Sequence, residues 1–406
     1  MNAVQFTHNY KIKYTTKDEK YDSLGYWQVG NEKYSSKANA LLEATRTNTG
    51  LRYHFQNNTW KNYDWSQPPK QNLQELYVER AKQLLDKYDH VALLWSGGSD
   101  STAVLKIFID NNLKLDEVIS YGMINSAVNE KDKTNAEVFH QYDRFKTYID
   151  NAGISFRFLN MWDRIDEVKL DDNFIDTGDL RYCFDNLIKV QAGYHTDPKL
   201  MQLAHKGKKV CVLTGLEKPR VFVENDNFYT AFIDILTSAN VYPMLYGGNY
   251  NGVAFERFFL TPDLPNLYAK MVHTLIDWFE HNYIGYKDFL TYRDFFQVDK
   301  YYDIANQVLY DWKSQDNWTL GKHNSARFCQ KYEPLRTSMP EFELYQRWSD
   351  MTWEINKNIN PKFVQPYGDF LPNYTKFYKV RRTADYKKPS KAQQKLRLRQ
   401  IVDKLN

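Results

Sequence analysis

The chain has 406 residues, of which 42% are hydrophobic and 26% are charged, and its formal net charge at pH 7 is +4. This composition is typical of a folded globular protein, and so small a charge gives no overall field that would favour nucleic acid or a membrane surface. The three cysteines, Cys183, Cys211 and Cys329, are far apart and odd in number. Their spacing supports neither a disulfide framework nor a zinc or iron–sulfur site, and it favours a reducing compartment.

The first twenty residues lack the apolar core of a signal peptide, and no run approaches the roughly 20 apolar residues of a membrane span. We therefore expect a cytoplasmic protein without a membrane segment.

Residues 1–72 are predicted to form a small N-terminal α+β unit. Residues 9–16 and 51–60 alternate as strands do, and residues 35–48 between them favour a helix with Ser35 or Ser36 as its cap. The pair Pro68-Pro69 marks a linker, and a helix with a regular apolar face follows from Asn72 to Tyr88.

Residues 73–235 alternate between short apolar runs and helix-length segments. The runs lie at residues 91–95, 118–124, 155–161 and 208–215. Strands separated by helices predict an α/β fold with a doubly wound parallel sheet and right-handed crossovers. Ligands of such sheets bind beyond the carboxyl ends of the strands. We therefore expect a ligand site at that edge of the sheet.

The strand–helix alternation is predicted to stop near residue 236. Residues 236–375 are predicted to be a mostly helical, aromatic-rich substrate or partner region, with a helix after Leu260 that has Thr261 as its cap and Pro262 in its first turn. Residues 376–406 form a strongly basic C-terminal tail, which is either a solvated surface segment or a contact to nucleic acid. The 16% of aromatic residues either build the core or offer a stacking surface.

The segment Ser96-Gly97-Gly98-Ser99-Asp100-Ser101 lies between the first apolar run and an amphipathic stretch. Two glycines leave no side chain between the backbone and a ligand, and amide hydrogens at a helix N-terminus attract an anion. A carboxylate beside a phosphate needs a divalent cation between them, so Asp100 indicates magnesium. No lysine follows the glycines as a Walker A loop requires. The alternatives are a pyrophosphate site with its metal and a glycine turn without a ligand.

These residues match the pattern SGGxDS, and the chain over about residues 73–235 resembles the PP-loop, or N-type, ATP pyrophosphatases. The resemblance implies an adenine nucleotide alpha-hydrolase-like fold with ATP and Mg²⁺ as cofactors. In most members of that superfamily a substrate oxygen attacks the α-phosphate of ATP, pyrophosphate leaves, and a nucleophile, usually nitrogen or sulfur, then displaces AMP. The asparagine synthetase-like branch and the PAPS reductase-like branch are both compatible with the residues that follow the fourth strand.

The resemblance also implies roles for individual residues. The β,γ-pyrophosphate would be held by the turn and helix start, the adenine by the end of the second strand, the metal by two carboxylates, and charge on the α-phosphate by two cations. The residues for the pyrophosphate are Ser96, Gly97, Gly98, Ser99, Asp100, Ser101 and Thr102, and those for the adenine are Tyr121, Gly122 and Met123, with Gly215 also beside the nucleotide. The metal ligands are Asp100 and Glu217. The catalytic residues are Asp100, Lys218 and Arg220.

Three functions stay open. The first is a ligase that adenylates an acceptor, a small molecule or tRNA, and forms a C–N bond; position 2 is Asn rather than the Cys of glutamine-dependent members, so ammonia, an amine or another chain would supply the nitrogen. The second is a PAPS reductase-like or sulfur-transfer protein, and the third is a non-enzymatic nucleotide-binding or assembly protein. Glu256 and Arg257 are expected either to meet the acceptor or to form ion pairs. The oligomeric state is open.

Overall fold

A computed structural model describes residues 25–34, 40, 43–44, 46–122, 136–160, 197–215, 218–233, 249–250, 252–291, 298–310 and 374–383. In chain order its elements are β1 (Tyr26–Val29), β2 (Glu32–Tyr34), β3 (Leu51–His54), α1 (Asn57–Trp60), α2 (Leu73–Lys87), β4 (His90–Leu94), α3 (Ser99–Asp110), β5 (Glu117–Gly122), α4 (Ala136–Asn151), β6 (Ser155–Asn160), α5 (Pro198–His205), β7 (Val210–Thr214), β8 (Arg220–Glu224), β9 (Asn227–Ala231), β10 (Asn249–Tyr250), β11 (Val253–Arg257), α6 (Pro265–Asn282), α7 (Tyr286–Phe289), α8 (Val298–Tyr310) and β12 (Tyr378–Arg382).

A six-stranded sheet in the order β10-β11-β7-β4-β5-β6 forms the centre of the fold. The last five of these strands run parallel, and β10 is antiparallel at one edge. All four predicted strands are present, so the expectation of an α/β fold with a parallel sheet is confirmed. Every residue of β4 and β7 is buried, as expected for strands inside a parallel sheet.

The apolar side chains of β4 alternate between two cores. Val91 and Leu93 join the larger core, to which α2, α3 and α6 contribute. Ala92 and Leu94 join a smaller core on the other side, which includes Leu200 of α5. Successive side chains of a strand point to opposite faces, so both faces of the sheet are covered.

The fifth parallel strand, β11, comes later in the chain than we predicted. It pairs with β7 from Val253↔Val210 to Arg257↔Thr214. The expectation that the alternation stops near residue 236 is therefore wrong. The strand is half-buried at three of its five positions and mixes apolar with charged residues, so it lacks the apolar run that marks β4 and β7. The three boundaries between the four predicted units stay a prediction.

Two further three-stranded sheets are antiparallel, with the orders β2-β1-β3 and β12-β9-β8. The hairpin between β8 and β9 turns at Asn225 and Asp226, both with positive φ. Of the predicted N-terminal segments, residues 51–54 form β3, whereas residues 57–60 form the short helix α1. Residues 9–16 and the caps Ser35 and Ser36 lie outside the described residues.

The predicted helices at residues 72–88 and after residue 260 are confirmed, with one correction. Asn72 and Glu75 form a reciprocal capping box at the start of α2. At α6 the residue in the first turn is Pro265 rather than Pro262. The Thr261 hydroxyl accepts a hydrogen bond from the amide of Asp263 at 3.2 Å and so belongs to the preceding turn.

Aromatic residues in and after α1 pack against later parts of the chain. The Trp60 ring lies 5.0 Å from Phe232 and 5.7 Å from Tyr268, and Trp65 lies 5.5 Å from Tyr378. Such rings bury large apolar areas. For these residues, the interpretation that the aromatic excess builds core is confirmed. Among the described helices, none is long and apolar enough to cross a membrane.

Candidate functional site

The glycine turn connects β4 to α3 at the carboxyl edge of the parallel sheet. Gly97 has φ +78°, a conformation that favours glycine, and Gly98 is the extended residue that precedes the helix. The helix then begins at Ser99 and runs for 12 residues. The first amide groups of a helix lack intrahelical acceptors, and the helix dipole is positive at this end. The predicted strand–turn–helix geometry is therefore present.

Hydroxyl groups hold this turn in its shape. The Ser101 Oγ donates to the carbonyl of Gly98 at 3.2 Å and accepts from the amide of Ser96 at 3.2 Å. The Ser96 Oγ accepts from the amide of Gly98 at 3.2 Å. These bonds pre-organise the loop.

Thr102 lies one residue farther into α3 and is fully buried. Its Oγ1 accepts a hydrogen bond from the Trp95 indole at 2.8 Å, and its amide donates to the carbonyl of Gly98 at 3.0 Å. Ser99 is buried too, with 5% of its surface exposed. In this structure Thr102 anchors the helix to the end of β4.

Gly215 brings the end of β7 against the start of α3. A Cβ atom on this glycine would lie 2.8 Å from both the carbonyl carbon and the oxygen of Asp100, and 2.9 Å from the amide of Ser101. These are backbone atoms, which cannot move aside as a flexible side chain does. The glycine is therefore required for the close packing of strand and helix at the turn.

Asp100 and Lys218, predicted as catalytic residues, are in direct contact. The Lys218 Nζ lies 2.5 Å from the Asp100 Oδ1, and only 1% of the Lys218 side chain is exposed. The hydroxyl of Tyr310 donates to the same carboxylate oxygen at 2.8 Å. Sequence reasoning missed Tyr310, which lies at the end of α8.

Arg220, the third predicted catalytic residue, lies beside the same helix. Its guanidinium group donates to the Tyr302 hydroxyl and lies 4.4 Å from the centre of the Tyr302 ring. The Tyr301 hydroxyl donates to the carbonyl of Pro219 at 2.6 Å and accepts from the amide of Val221 at 3.1 Å. Helix α8 thus fixes the segment that carries both cations.

The residues predicted to meet adenine are described only in part. Tyr121 and Gly122 end β5, paired with Leu159 and Asn160 of β6, whereas Met123 lies outside the described residues. The hydroxyl of Ser120 donates to the carbonyl of Trp95 at 2.6 Å. That bond joins the ends of β4 and β5, so the predicted adenine segment starts next to the turn.

The predicted metal ligands are Asp100, which lies at the turn, and Glu217, which is not among the described residues. In the part of the chain that is described, no three side chains of the His, Cys, Asp or Glu type form a metal-ligand group. A second carboxylate beside Asp100 thus stays a prediction.

The sequence left open whether Glu256 and Arg257 contact an acceptor or form ion pairs. Both side chains contact other residues of the protein. Glu256 accepts from Arg80 at 3.0 Å, from Lys87 at 2.7 Å and from Tyr88 at 2.6 Å. Burial alone would raise the pKa of Glu256, but these partners outweigh burial and lower it. The Arg257 guanidinium lies 5.0 Å from the centre of the Phe55 ring, and burial lowers its pKa to about 10.

No protein-family model and no curated protein matches this chain. The resemblance to PP-loop proteins therefore depends on the six residues Ser96–Ser101 and on their position between a parallel strand and a helix.

The assembled site combines a pre-organised backbone turn, a helix N-terminus, one partly exposed carboxylate and two nearby cations. Asp100 keeps 19% of its side chain exposed, whereas Lys218 is buried behind it. Backbone amides at the start of a helix attract anions.

Proposed function

We propose that the protein is a PP-loop ATP pyrophosphatase that binds ATP with Mg²⁺ and adenylates an acceptor. The observation that carries the proposal is the SGGSDS turn at the carboxyl edge of a parallel sheet, with the Lys218 ammonium 2.5 Å from its carboxylate. The Lys218 charge, the glycine turn and the N-terminus of α3 then lie together where an oligophosphate would bind. The same proposal includes that the parallel sheet of this protein is doubly wound, as it is in the superfamily.

The donor set at the turn fits magnesium. Mg²⁺ at nucleotide sites is bound by one or two carboxylates together with phosphate oxygens and water, and Asp100 offers a partly exposed carboxylate. Glu217 is the second candidate that the resemblance supplies. When bound, the metal would neutralise charge on the phosphates.

In the proposed reaction, an acceptor oxygen attacks the α-phosphorus of ATP and the bond to the β-phosphate breaks. Residues 96–102 hold the departing pyrophosphate, and Lys218 and Arg220 offset the negative charge that develops on the α-phosphate. A nitrogen nucleophile then forms a C–N bond with the activated carbon, and AMP leaves with the acceptor oxygen. Residues 121–123 hold the adenine, and the acceptor is a small molecule or tRNA.

The state of Cys211 speaks against sulfur chemistry at that residue. This thiol lies in β7, is fully buried, and its pKa is raised well above the usual value by burial. A reactive cysteine needs an accessible thiolate. Cys183 and Cys329 lie outside the described residues, so a PAPS reductase-like protein remains an outcome of the test below.

The test incubates the protein with Mg²⁺ and ATP labelled at the α-phosphate, alone and with a panel of carboxylates, amides and tRNA. Acceptor-dependent AMP and pyrophosphate, without ADP, would support the proposal. ADP as the product, or much tighter binding of adenosine phosphosulfates than of ATP, would contradict it. Binding of ATP without cleavage by any acceptor would favour a nucleotide-binding protein without enzymatic activity.

Asp100→Asn is expected to weaken the binding of a non-cleavable ATP analogue with Mg²⁺ about tenfold, because the metal loses a charged ligand. Isothermal titration calorimetry measures this affinity. Asp110→Asn is the matched control, since Asp110 ends the same helix and pairs with Lys106 at 3.2 Å, away from the turn. Equal effects of the two changes, or no effect of Asp100→Asn, would remove Asp100 from the metal site.

A further inference from the structure

The carboxylate of Asp100 already has a cation within the protein. The Lys218 ammonium and the Tyr310 hydroxyl both contact its Oδ1, at 2.5 Å and 2.8 Å. A metal ligated by this oxygen would stand within a few ångströms of the ammonium, and in a partly buried site two such cations repel each other strongly. Lys218 and a divalent cation therefore compete for the same carboxylate.

We propose that Lys218 is a built-in counter-ion of Asp100, which a divalent cation replaces when the metal–nucleotide complex binds. This inference rests on the proposed function. Lys218 leaves the carboxylate and its ammonium turns to the phosphates, so the cation that balances Asp100 in the free protein becomes a ligand of the nucleotide in the complex. The exchange keeps both charges paired, which a buried site requires.

Two tyrosines of α8 position the ammonium for this exchange. The Lys218 Nζ lies 4.9 Å from the centre of the Tyr302 ring and 5.8 Å from that of the Tyr310 ring. Cation–π attraction to these rings does not depend on the carboxylate. The ammonium therefore stays close to the turn after Asp100 is taken by metal. Both tyrosines are positioning residues: their rings hold the Lys218 ammonium, and the Tyr310 hydroxyl also holds the Asp100 carboxylate.

Competition for one carboxylate has a measurable consequence. Metal alone binds the free protein weakly, because it must displace Lys218, whereas metal and nucleotide together bind cooperatively, because the phosphates take up the displaced ammonium. Removal of the lysine charge should then strengthen the binding of metal alone and weaken the binding of nucleotide alone. A purely structural role of Lys218 predicts that both are weakened.

The experiment uses the full chain with Mn²⁺ alone, read by electron paramagnetic resonance of the free ion, and a non-cleavable ATP analogue without metal, read by calorimetry. Lys218→Met is expected to bind Mn²⁺ about tenfold more tightly than the wild type, and the analogue about tenfold more weakly. Lys146→Met is the matched control: Lys146 pairs with Asp150 at 2.9 Å on the surface of α4, and the variant should leave both affinities unchanged.

Tyr310→Phe provides a second test if Lys218→Met does not fold. It keeps the ring beside the ammonium and removes one donor from Oδ1, so Mn²⁺ alone should bind a few-fold more tightly. Unchanged or weaker Mn²⁺ binding by every variant that folds would overturn the inference. If the wild type still bound the analogue with Mg²⁺, the proposed function would survive that result; if the wild type bound no nucleotide under any condition, both would fall.

Discussion

Glu117→Gln is expected to lower the free energy of unfolding by about 3 kcal/mol at pH 7. Glu117 begins β5 and none of its side chain is exposed, yet it contacts Arg157 Nε at 2.7 Å, Lys199 Nζ at 2.8 Å and His90 Nε2 at 3.0 Å. Burial opposes ionisation of this carboxyl group, but the hydrogen bonds from the three partners outweigh burial and lower its pKa to about 2. Glutamine keeps the shape but removes the one negative charge that His90, Arg157 and Lys199 all contact.

The pH dependence has a definite sign. A carboxyl group whose pKa is lower in the folded state than its ordinary value of 4.5 contributes its full stabilisation above that pH. The contribution is lost as the pH falls from 4.5 towards 2. Urea unfolding of the wild type and Glu117→Gln should therefore give curves that differ at pH 7 and converge near pH 2.

Glu224→Gln provides the control, because Glu224 ends β8 with its side chain exposed. It should change the free energy of unfolding by less than about 0.5 kcal/mol at any pH. A difference between wild type and Glu117→Gln that stays constant from pH 7 to pH 2 would show that the carboxylate charge is not what stabilises this edge of the sheet.

Glu117 and its partners lie away from the candidate site, so their effect on stability can be measured separately from nucleotide binding. Glu117 is the first residue of β5, and the turn follows the last residue of the neighbouring β4. In a parallel sheet these positions lie at opposite edges. A loss of stability in Glu117→Gln without a change in nucleotide affinity is therefore the expected pair of results.

The central strands and the turn were predictable because their signals are local. Val91 to Leu94 form an uninterrupted apolar run, and the glycine pair sits between that run and a helical pattern. Parallel strands that are covered on both faces need such runs, and a sharp strand-to-helix turn needs glycine. Each of these signals is contained in a few neighbouring residues, so it can be read directly from the sequence.

The tyrosine partners of Asp100 and Arg220 could not be predicted, because tertiary packing alone brings them together. Tyr310 lies 210 residues after Asp100 in the chain, and Tyr302 lies 82 residues after Arg220. Nothing in the helical pattern of α8 distinguishes a tyrosine that reaches a carboxylate from one that packs in the core. Strand β11 was not predicted for a related reason. The charge of Glu256 within this strand is paired with Arg80 of α2, and only the folded chain contains that contact.

Gly215→Ala is expected to lower the free energy of unfolding by about 2–3 kcal/mol, because an added Cβ would overlap with backbone atoms. The nearest atoms are the carbonyl group of Asp100 at 2.8 Å and the amide of Ser101 at 2.9 Å. Real Cβ atoms do not approach so closely, so either β7 or the first turn of α3 must move. Both are held in place, β7 by its pairing with β4 and β11, and α3 by the bond between Trp95 and Thr102.

The same collision displaces the helix start at which we place the phosphates. Gly215→Ala should therefore weaken the binding of a non-cleavable ATP analogue about tenfold, in addition to its effect on unfolding, because misplaced amides lose their hydrogen bonds to the anion. Gly50→Ala is the control, since a Cβ at Gly50 meets no atom within 4 Å. Denaturant unfolding and calorimetry on both variants separate the two effects. If Gly215→Ala were as stable as Gly50→Ala, β7 and α3 would not pack as closely as described; if it were unstable yet bound the analogue normally, the phosphates would lie elsewhere.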